Sequence, residues 1–133
     1  MLELNREVVD VMPSPLFREA VQIGDELTLV GFGPRAGDPG DGRSLSVKHV
    51  GTTPVDGVTN NLVTWNFDNA SESTTVRGDS GSPEFVQRDG NYYLAAVTSG
   101  GTLRDSSLGD FAYNTRVDSY FSWINDVVGV ETW

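Results

Sequence analysis

Apolar residues in this 133-residue chain come in brief runs broken by Gly, Pro, Asp, Asn and Ser. That pattern predicts many short strands joined by frequent turns. The runs predict strands over Glu26–Phe32, Leu45–Val50, Asn61–Phe67, Pro83–Val86, Tyr92–Thr98 and Phe111–Val117. In ELTLV, Leu27 and Leu29 alternate with Glu26, Thr28 and Val30, as a half-buried strand requires. YYLAAVT is more continuously apolar and is expected at the centre of its sheet. Turn-forming stretches lie between: GPRAGDPGDG (33–42), TPVDG (53–57), RDGN (88–91) and GGTLRDSSLGD (100–110). The period changes once. DSYFSWINDVV (118–128) opens on Asp118, a good N-cap, and sets Tyr120, Phe121, Trp123, Ile124, Val127 and Val128 along one broad stripe, predicting a terminal helix. Residues 1–20 carry mixed charge and two prolines and are expected to form an extended lead-in; residues 21–133 form the folded body.

Composition narrows the function classes. The length suits one domain with a real core. The formal net charge of −10 makes nucleic acid and anionic membranes poor partners. No apolar run approaches the roughly 20 residues of a membrane helix, and MLELNREVVD lacks the basic-then-apolar order of a signal peptide. With no cysteine, disulfides and thiolate chemistry are excluded and the fold rests on packing.

The chemistry concentrates in RGDSGSPEF (77–85). A nucleophilic serine must project from a tight turn while nearby backbone N–H groups stay free to bind an oxyanion, and flanking glycines permit both. Gly78-Asp79-Ser80-Gly81 has that layout, with Ser80 as nucleophile and the N–H groups of Gly78 and Ser80 as oxyanion donors. Alone, GDSG is turn material in a turn; the surrounding segments raise it. TLVGFG (28–33), RGDSGSP (77–83), AAVTSGG (95–101) and NTRVDSYFSWI (114–124) follow one another in the order found in the trypsin/chymotrypsin-like serine proteases, and the chain resembles the second barrel of that family.

The resemblance implies a six-stranded antiparallel Greek-key barrel with one C-terminal helix, and peptide hydrolysis through an acyl-enzyme without metal or cofactor. It also implies a missing half. The family's catalytic His and Asp lie on the first barrel, and MLELNREV resembles the stretch that closely follows that Asp. The single histidine, His49, falls in LSVKHVG, where the family has no base. The chain is therefore expected to be inactive alone, as an unactivated hydroxyl is a weak nucleophile. Its expected partners are the absent N-terminal barrel or a second copy of itself, besides a peptide or protein substrate. The alternative is a non-catalytic, protease-like binding module. For the full-length protein the resemblance implies a secreted or periplasmic bacterial setting.

Further residues carry over by position. Asp79 matches a buried carboxylate that pairs with a new N-terminal amine in activated members; without that amine, another partner or a raised pKa is required, and a disordered or collapsed loop at 74–80 is expected. Thr74, six before the serine, is neutral, with Thr75 beside it; Gly100 and Ala112 match pocket walls; Arg77 falls at the rim. Thr98, Ser99 and Gly100 match the strand that binds substrate backbone by β-addition. Together they imply a small-to-medium neutral side chain at the cleaved bond. Val76 stands at a usual cysteine and Ser82 at a usual glycine.

The remaining signals read as structure. Arg77-Gly78-Asp79 spells an adhesion tripeptide but belongs to the nucleophile loop. Asn69-Ala70-Ser71 is a glycosylation sequon of consequence only in a eukaryotic secretory route. Asp38-Pro39-Gly40-Asp41 has two carboxylates, too few for a Ca²⁺ site. Trp65, Tyr92, Tyr93, Phe111, Tyr113, Phe121 and Trp123 are expected to pack the barrel.

Overall fold

The structure is a computed structural model that describes residues 2–34 and 47–129. Among the described residues, seven strands form one antiparallel sheet: β1 (Glu26–Gly31), β2 (His49–Pro54), β3 (Gly57–Val58), β4 (Leu62–Phe67), β5 (Pro83–Arg88), β6 (Asn91–Gly101) and β7 (Asp110–Arg116). Their order is β2-β1-β5-β6-β7-β4-β3. The YYLAAVT strand, β6, stands at the centre as its apolar run requires.

The strand count exceeds six because one chain segment serves both ends of the sheet. β2 pairs with β1 (Thr53 opposite Leu27), and three residues later β3 pairs with β4 (Gly57 opposite Thr64). Between them the chain turns a corner. The Val55 N–H donates to Asp25 O at 2.9 Å, the Asp56 N–H to Thr64 O at 3.0 Å, and Val55 O accepts from Gly24. The sheet thus curls until its two edges are one bent strand, which closes a barrel of six segments and leaves little bare edge.

That corner also explains a displaced element. Only His49 and Val50 of the predicted Leu45–Val50 strand lie in β2, which continues through Pro54; residues 45–46 lie outside those described. TPVDG, expected as a turn, contributes Thr53, Pro54 and Gly57 to strands instead. Pro54 is tolerated because it sits at the end of the β1–β2 ladder, where its missing N–H breaks nothing within it. The β5–β6 hairpin turns where the sequence predicts, through Asp89-Gly90, both at positive φ (50° and 79°), as a two-residue hairpin turn demands.

The core follows from strand alternation. Leu27, Leu29, Val63, Trp65, Val86, Ala96 and Ala112 point inward and are buried, with Val55 from the corner and Phe17 and Val21 from the approach to β1. Fully burying each large apolar side chain contributes about 1.5–3 kcal/mol. The aromatic set does not all join them. Trp65 is fully buried, but Tyr92, Phe111, Tyr113 and Trp123 keep between a third and a half of their surface. All but Trp123 stand on strands at outward positions, where alternation overrides hydrophobicity.

Residues 2–20 form no strand beyond a single parallel bridge of Leu16 to Leu94, held by the Phe17 N–H on Leu94 O and the Leu94 N–H on Pro15 O, both at 2.8 Å. The chain ends in a 3-10 turn, Asp118–Tyr120, and α1 (Phe121–Val128). Asp118 does not cap the helix: its carboxylate is taken by the Arg116 guanidinium, whose Nε lies 3.0 Å away. The predicted apolar stripe is only half covered, since no residue of α1 is fully buried. No helix among the described residues is long and apolar enough to cross a membrane.

Candidate active site

The nucleophile loop is built around an inward carboxylate and an outward hydroxyl. Asp79 and Ser80 are neighbours that face opposite ways: Asp79 is buried and Ser80 exposed. Asp79 Oδ1 accepts from the Gly33 N–H at 2.7 Å and Oδ2 from the Val76 N–H at 2.9 Å. The loop closes on itself through the Asp79 N–H to Val76 O (3.0 Å) and the Ser82 N–H to Asp79 O (2.8 Å). At residues 74–80, where a disordered or collapsed loop is expected, these bonds tie the loop together, and two backbone donors satisfy the carboxylate in place of an amine.

This explains the spacing of Gly31-Phe32-Gly33. A Cβ on Gly31 would lie 2.1 Å from Asp79 Oδ1, and one on Gly33 would lie 2.5 Å from Val76 Cγ2. The end of β1 must be bare for the carboxylate to reach it. On the other side of the serine, Gly78 and Gly81 take φ of 106° and 85°, a region that L side chains rarely adopt. Among the described residues, the N–H groups of Gly78 and Ser80 donate to no acceptor and the Ser80 hydroxyl has no hydrogen-bond partner. Two free donors beside an exposed hydroxyl are the raw material of an oxyanion site.

The loop is tied to the substrate-strand candidate. The Gly81 N–H donates to Thr98 O at 2.9 Å and the Thr98 N–H to Ser82 O at 3.0 Å. Ser99 is exposed, and its N–H is held by Asn114 Oδ1 at 2.8 Å. Gly100 pairs with Tyr113. Arg77 is exposed beside the loop.

Thr74 and Thr75 line a cavity of about 370 Å³ with His49, Lys48, Ser73 and Asp79, on the inner side of the loop. Ser80 is not among its walls, so His49 opens toward the carboxylate's side of the turn. Thr74 Oγ1 also accepts from the buried Trp65 indole at 3.4 Å. Ala112 does not face an open cleft: it has no exposed surface and sits opposite Trp65 in the β4–β7 ladder. Thr98 is likewise buried, its hydroxyl donating to Glu84 Oε1 at 3.0 Å. The Asp38–Asp41 loop lies outside the described residues.

Glu84 and Asn114 are among the polar residues of the interior that escaped the sequence reading. Glu84 is fully buried on β5, and burial pushes its carboxyl up to about 8 despite the Thr98 hydrogen bond; its Oε2 has no partner. Asn114 is fully buried on β7 with Nδ2 unpartnered. The signal was present in each case: both hold inward positions of alternating strands, two residues from Val86 and Ala112.

An antiparallel barrel followed by a C-terminal helix, with a Gly-Asp-Ser-Gly turn immediately before β5, defines a trypsin-like barrel. The family profile described as Trypsin matches residues 1–124, and the chain belongs to that family. Comparison with curated proteins finds no match.

Proposed function

We propose that this chain is the nucleophile-bearing half of a trypsin-like serine endopeptidase. The observation that carries the proposal is the Ser80 turn: an exposed hydroxyl between two positive-φ glycines, beside two unengaged N–H groups, on a loop pinned by buried Asp79. In the complete enzyme Ser80 Oγ attacks a peptide carbonyl, and the oxyanion lodges against the Gly78 and Ser80 N–H groups. Removing one such donor costs about 10²–10³ in rate elsewhere. A histidine outside this chain takes the proton, an aspartate orients it, and water hydrolyses the acyl-enzyme. The 133-residue chain has no base of its own for this step and is inactive alone. Substrate backbone adds along Thr98–Gly100, with Thr74, Thr75 and Arg77 shaping the adjoining site; Ala112, fully buried opposite Trp65, takes no part in it.

The partner is the first barrel or, in its absence, a second copy. Support comes from the lead-in, where Leu2, Val9 and Met12 keep 92%, 76% and 89% of their surface exposed. Exposed apolar side chains gathered on one segment favour association. Sedimentation at high concentration should show dimers or larger; a clean monomer contradicts this part of the reading.

The decisive experiment extends the chain. The coding sequence upstream of Met1 should continue in frame through a histidine and an aspartate. The extended product should label at Ser80 with a fluorophosphonate, while the 133-residue chain and a Ser80→Ala variant of the extended product do not. A stop codon there, or an extended product that fails to label, favours a binding module without catalysis.

A further inference from the structure

We propose that Tyr113 is a specificity-determining residue of the substrate edge, selecting an extended peptide that presents a flat apolar side chain, proline or aromatic, opposite Gly100. The inference rests on peptide docking along residues 98–100 and deepens it.

Gly100 and Tyr113 are direct partners in the β6–β7 ladder, so their side chains stand on the same face of the sheet. A Cβ built on Gly100 would meet Tyr113 Oη at 2.9 Å, Cζ at 3.1 Å and Cε2 at 3.2 Å. The phenol end therefore lies across β6, in the space that a side chain at position 100 would claim. Tyr113 still keeps about a third of its surface exposed (36%). It is an aromatic surface laid over a glycine, not a core residue.

The edge beside it is open. The β5–β6 ladder ends at Pro83 opposite Val97, and Thr98 is held by Gly81 and Ser82. Among the described residues, Ser99, Gly100 and Gly101 have no strand neighbour on the side away from β7. From β7, the Asn114 side chain fixes the Ser99 N–H. On the opposite face a Cβ at Gly101 would lie 2.4 Å from Asp110 Oδ2, and Asp110 is itself fixed by the Thr102 and Leu103 N–H groups at 2.8 Å. The two glycines thus make a flat, fixed edge with its side-chain space filled from β7 on both faces.

A peptide strand added there runs about 4.8 Å from β6. Its residue opposite Gly100 projects on the Tyr113 face, with its Cβ about that distance from the hollow the phenol fills, which is contact range for the ring. Flat apolar groups gain from such a contact beyond their area, by edge or offset packing. A charged acid gains nothing there and meets a chain of net charge −10.

The test uses the ¹⁵N-labelled full chain, titrated with short acetylated peptide amides that carry Pro, Phe, Ala or Asp at one position. Shifts should centre on the Ser99, Gly100 and Gly101 amides, with Pro and Phe peptides binding about tenfold more tightly than Ala. Tyr113→Val should erase that preference and Tyr113→Phe should keep it. Gly100→Ala should weaken it by lifting the ring, and adding Gly100→Ala to Tyr113→Val should change nothing further. Thermal melts confirm that each variant folds, and Tyr113→Thr replaces the valine variant if that one does not. A preference that survives loss of the ring, or shifts that do not discriminate among the peptides, overturns this proposal alone. No shift at these amides with any peptide overturns the docking reading and this one with it.

Discussion

Asp79 and Glu84 are buried carboxylates five residues apart, one in a turn and one on a strand. Asp79 has a backbone N–H on each oxygen. Glu84 has one threonine hydroxyl on one oxygen and nothing on the other. The difference comes from what the backbone has to spare. In a turn and at the end of a strand, N–H groups are free to point at a side chain. Inside a ladder every N–H is committed to a neighbouring strand, so an inward carboxylate can be satisfied only by side chains. Desolvation then governs, and it holds Glu84 up to about 8, mostly protonated at neutral pH. The acid under the nucleophile is a built feature; the acid in the barrel is a liability sealed by Thr98.

The largest expected effect is the pH dependence of Glu84. Its folded pKa is raised from 4.5 to about 8, so the folded chain holds the proton more tightly than the unfolded one. That contribution is full below pH 4.5 and is lost as pH rises toward 8, by about 1.4 kcal/mol per unit and roughly 5 kcal/mol in all. Against a domain stability of about 5–15 kcal/mol this is large. Denaturant midpoints of the native chain and of Glu84→Gln should therefore diverge between pH 5 and pH 9, the variant gaining at high pH. Parallel curves would mean that Glu84 is not sealed and would dissolve the contrast with Asp79.

Asp79→Ala tests the other member. It strands the Gly33 and Val76 N–H groups in a buried setting, at about 1–3 kcal/mol each. A loss of about 3–4 kcal/mol is expected, read by chemical denaturation. Gly31→Ala should reproduce much of it with Asp79 itself kept, since the new methyl would stand 2.1 Å from Oδ1 and displace the carboxylate. A fully stable Gly31→Ala chain would show that the carboxylate has room to move and that its two N–H bonds do not fix the loop.

These contrasts mark how far the sequence could be read. Alternation placed Leu27 and Leu29, a continuous apolar run placed the central β6, and Asp89-Gly90 marked its hairpin. The motif RGDSGSP located the turn that carries Ser80, because glycine spacing is a local property. What could not be read was set by partners distant along the chain. The bent β2–β3 strand depends on Asp25 and Thr64, which take up the N–H groups at the corner. Asp118 has the look of an N-cap but is claimed by Arg116 two residues earlier. Asp79 is expected to need a partner other than an amine, and one of the two it finds is Gly33, 46 residues away. Pocket positions such as Ala112 were assigned by resemblance, and its burial follows from its place opposite Trp65.

The smallest expected effect completes the series with a carboxylate nearer the surface. Asp25 bonds Arg88 at 2.7 Å through Oδ1 and accepts the Gln22 N–H at 2.8 Å through Oδ2. The Arg88 side chain is 40% exposed and its guanidinium also lies 5.2 Å from the centre of the Phe17 ring. Water and salt compete for such a pair, which limits it to about 1 kcal/mol or less. Asp25→Asn keeps an acceptor for Gln22 and removes only the charge. It should lower stability by under about 1 kcal/mol at low salt, and the difference should shrink further at 0.5 M salt, where screening acts within a few ångströms. The variants at Glu84 and Asp79 should respond much less to the same salt, because Glu84 has no exposed surface and Asp79 is buried with a backbone N–H on each oxygen. A salt-independent loss at Asp25 as large as that at Asp79 would mean that burial does not rank these three acids, and that backbone donors alone decide what each is worth.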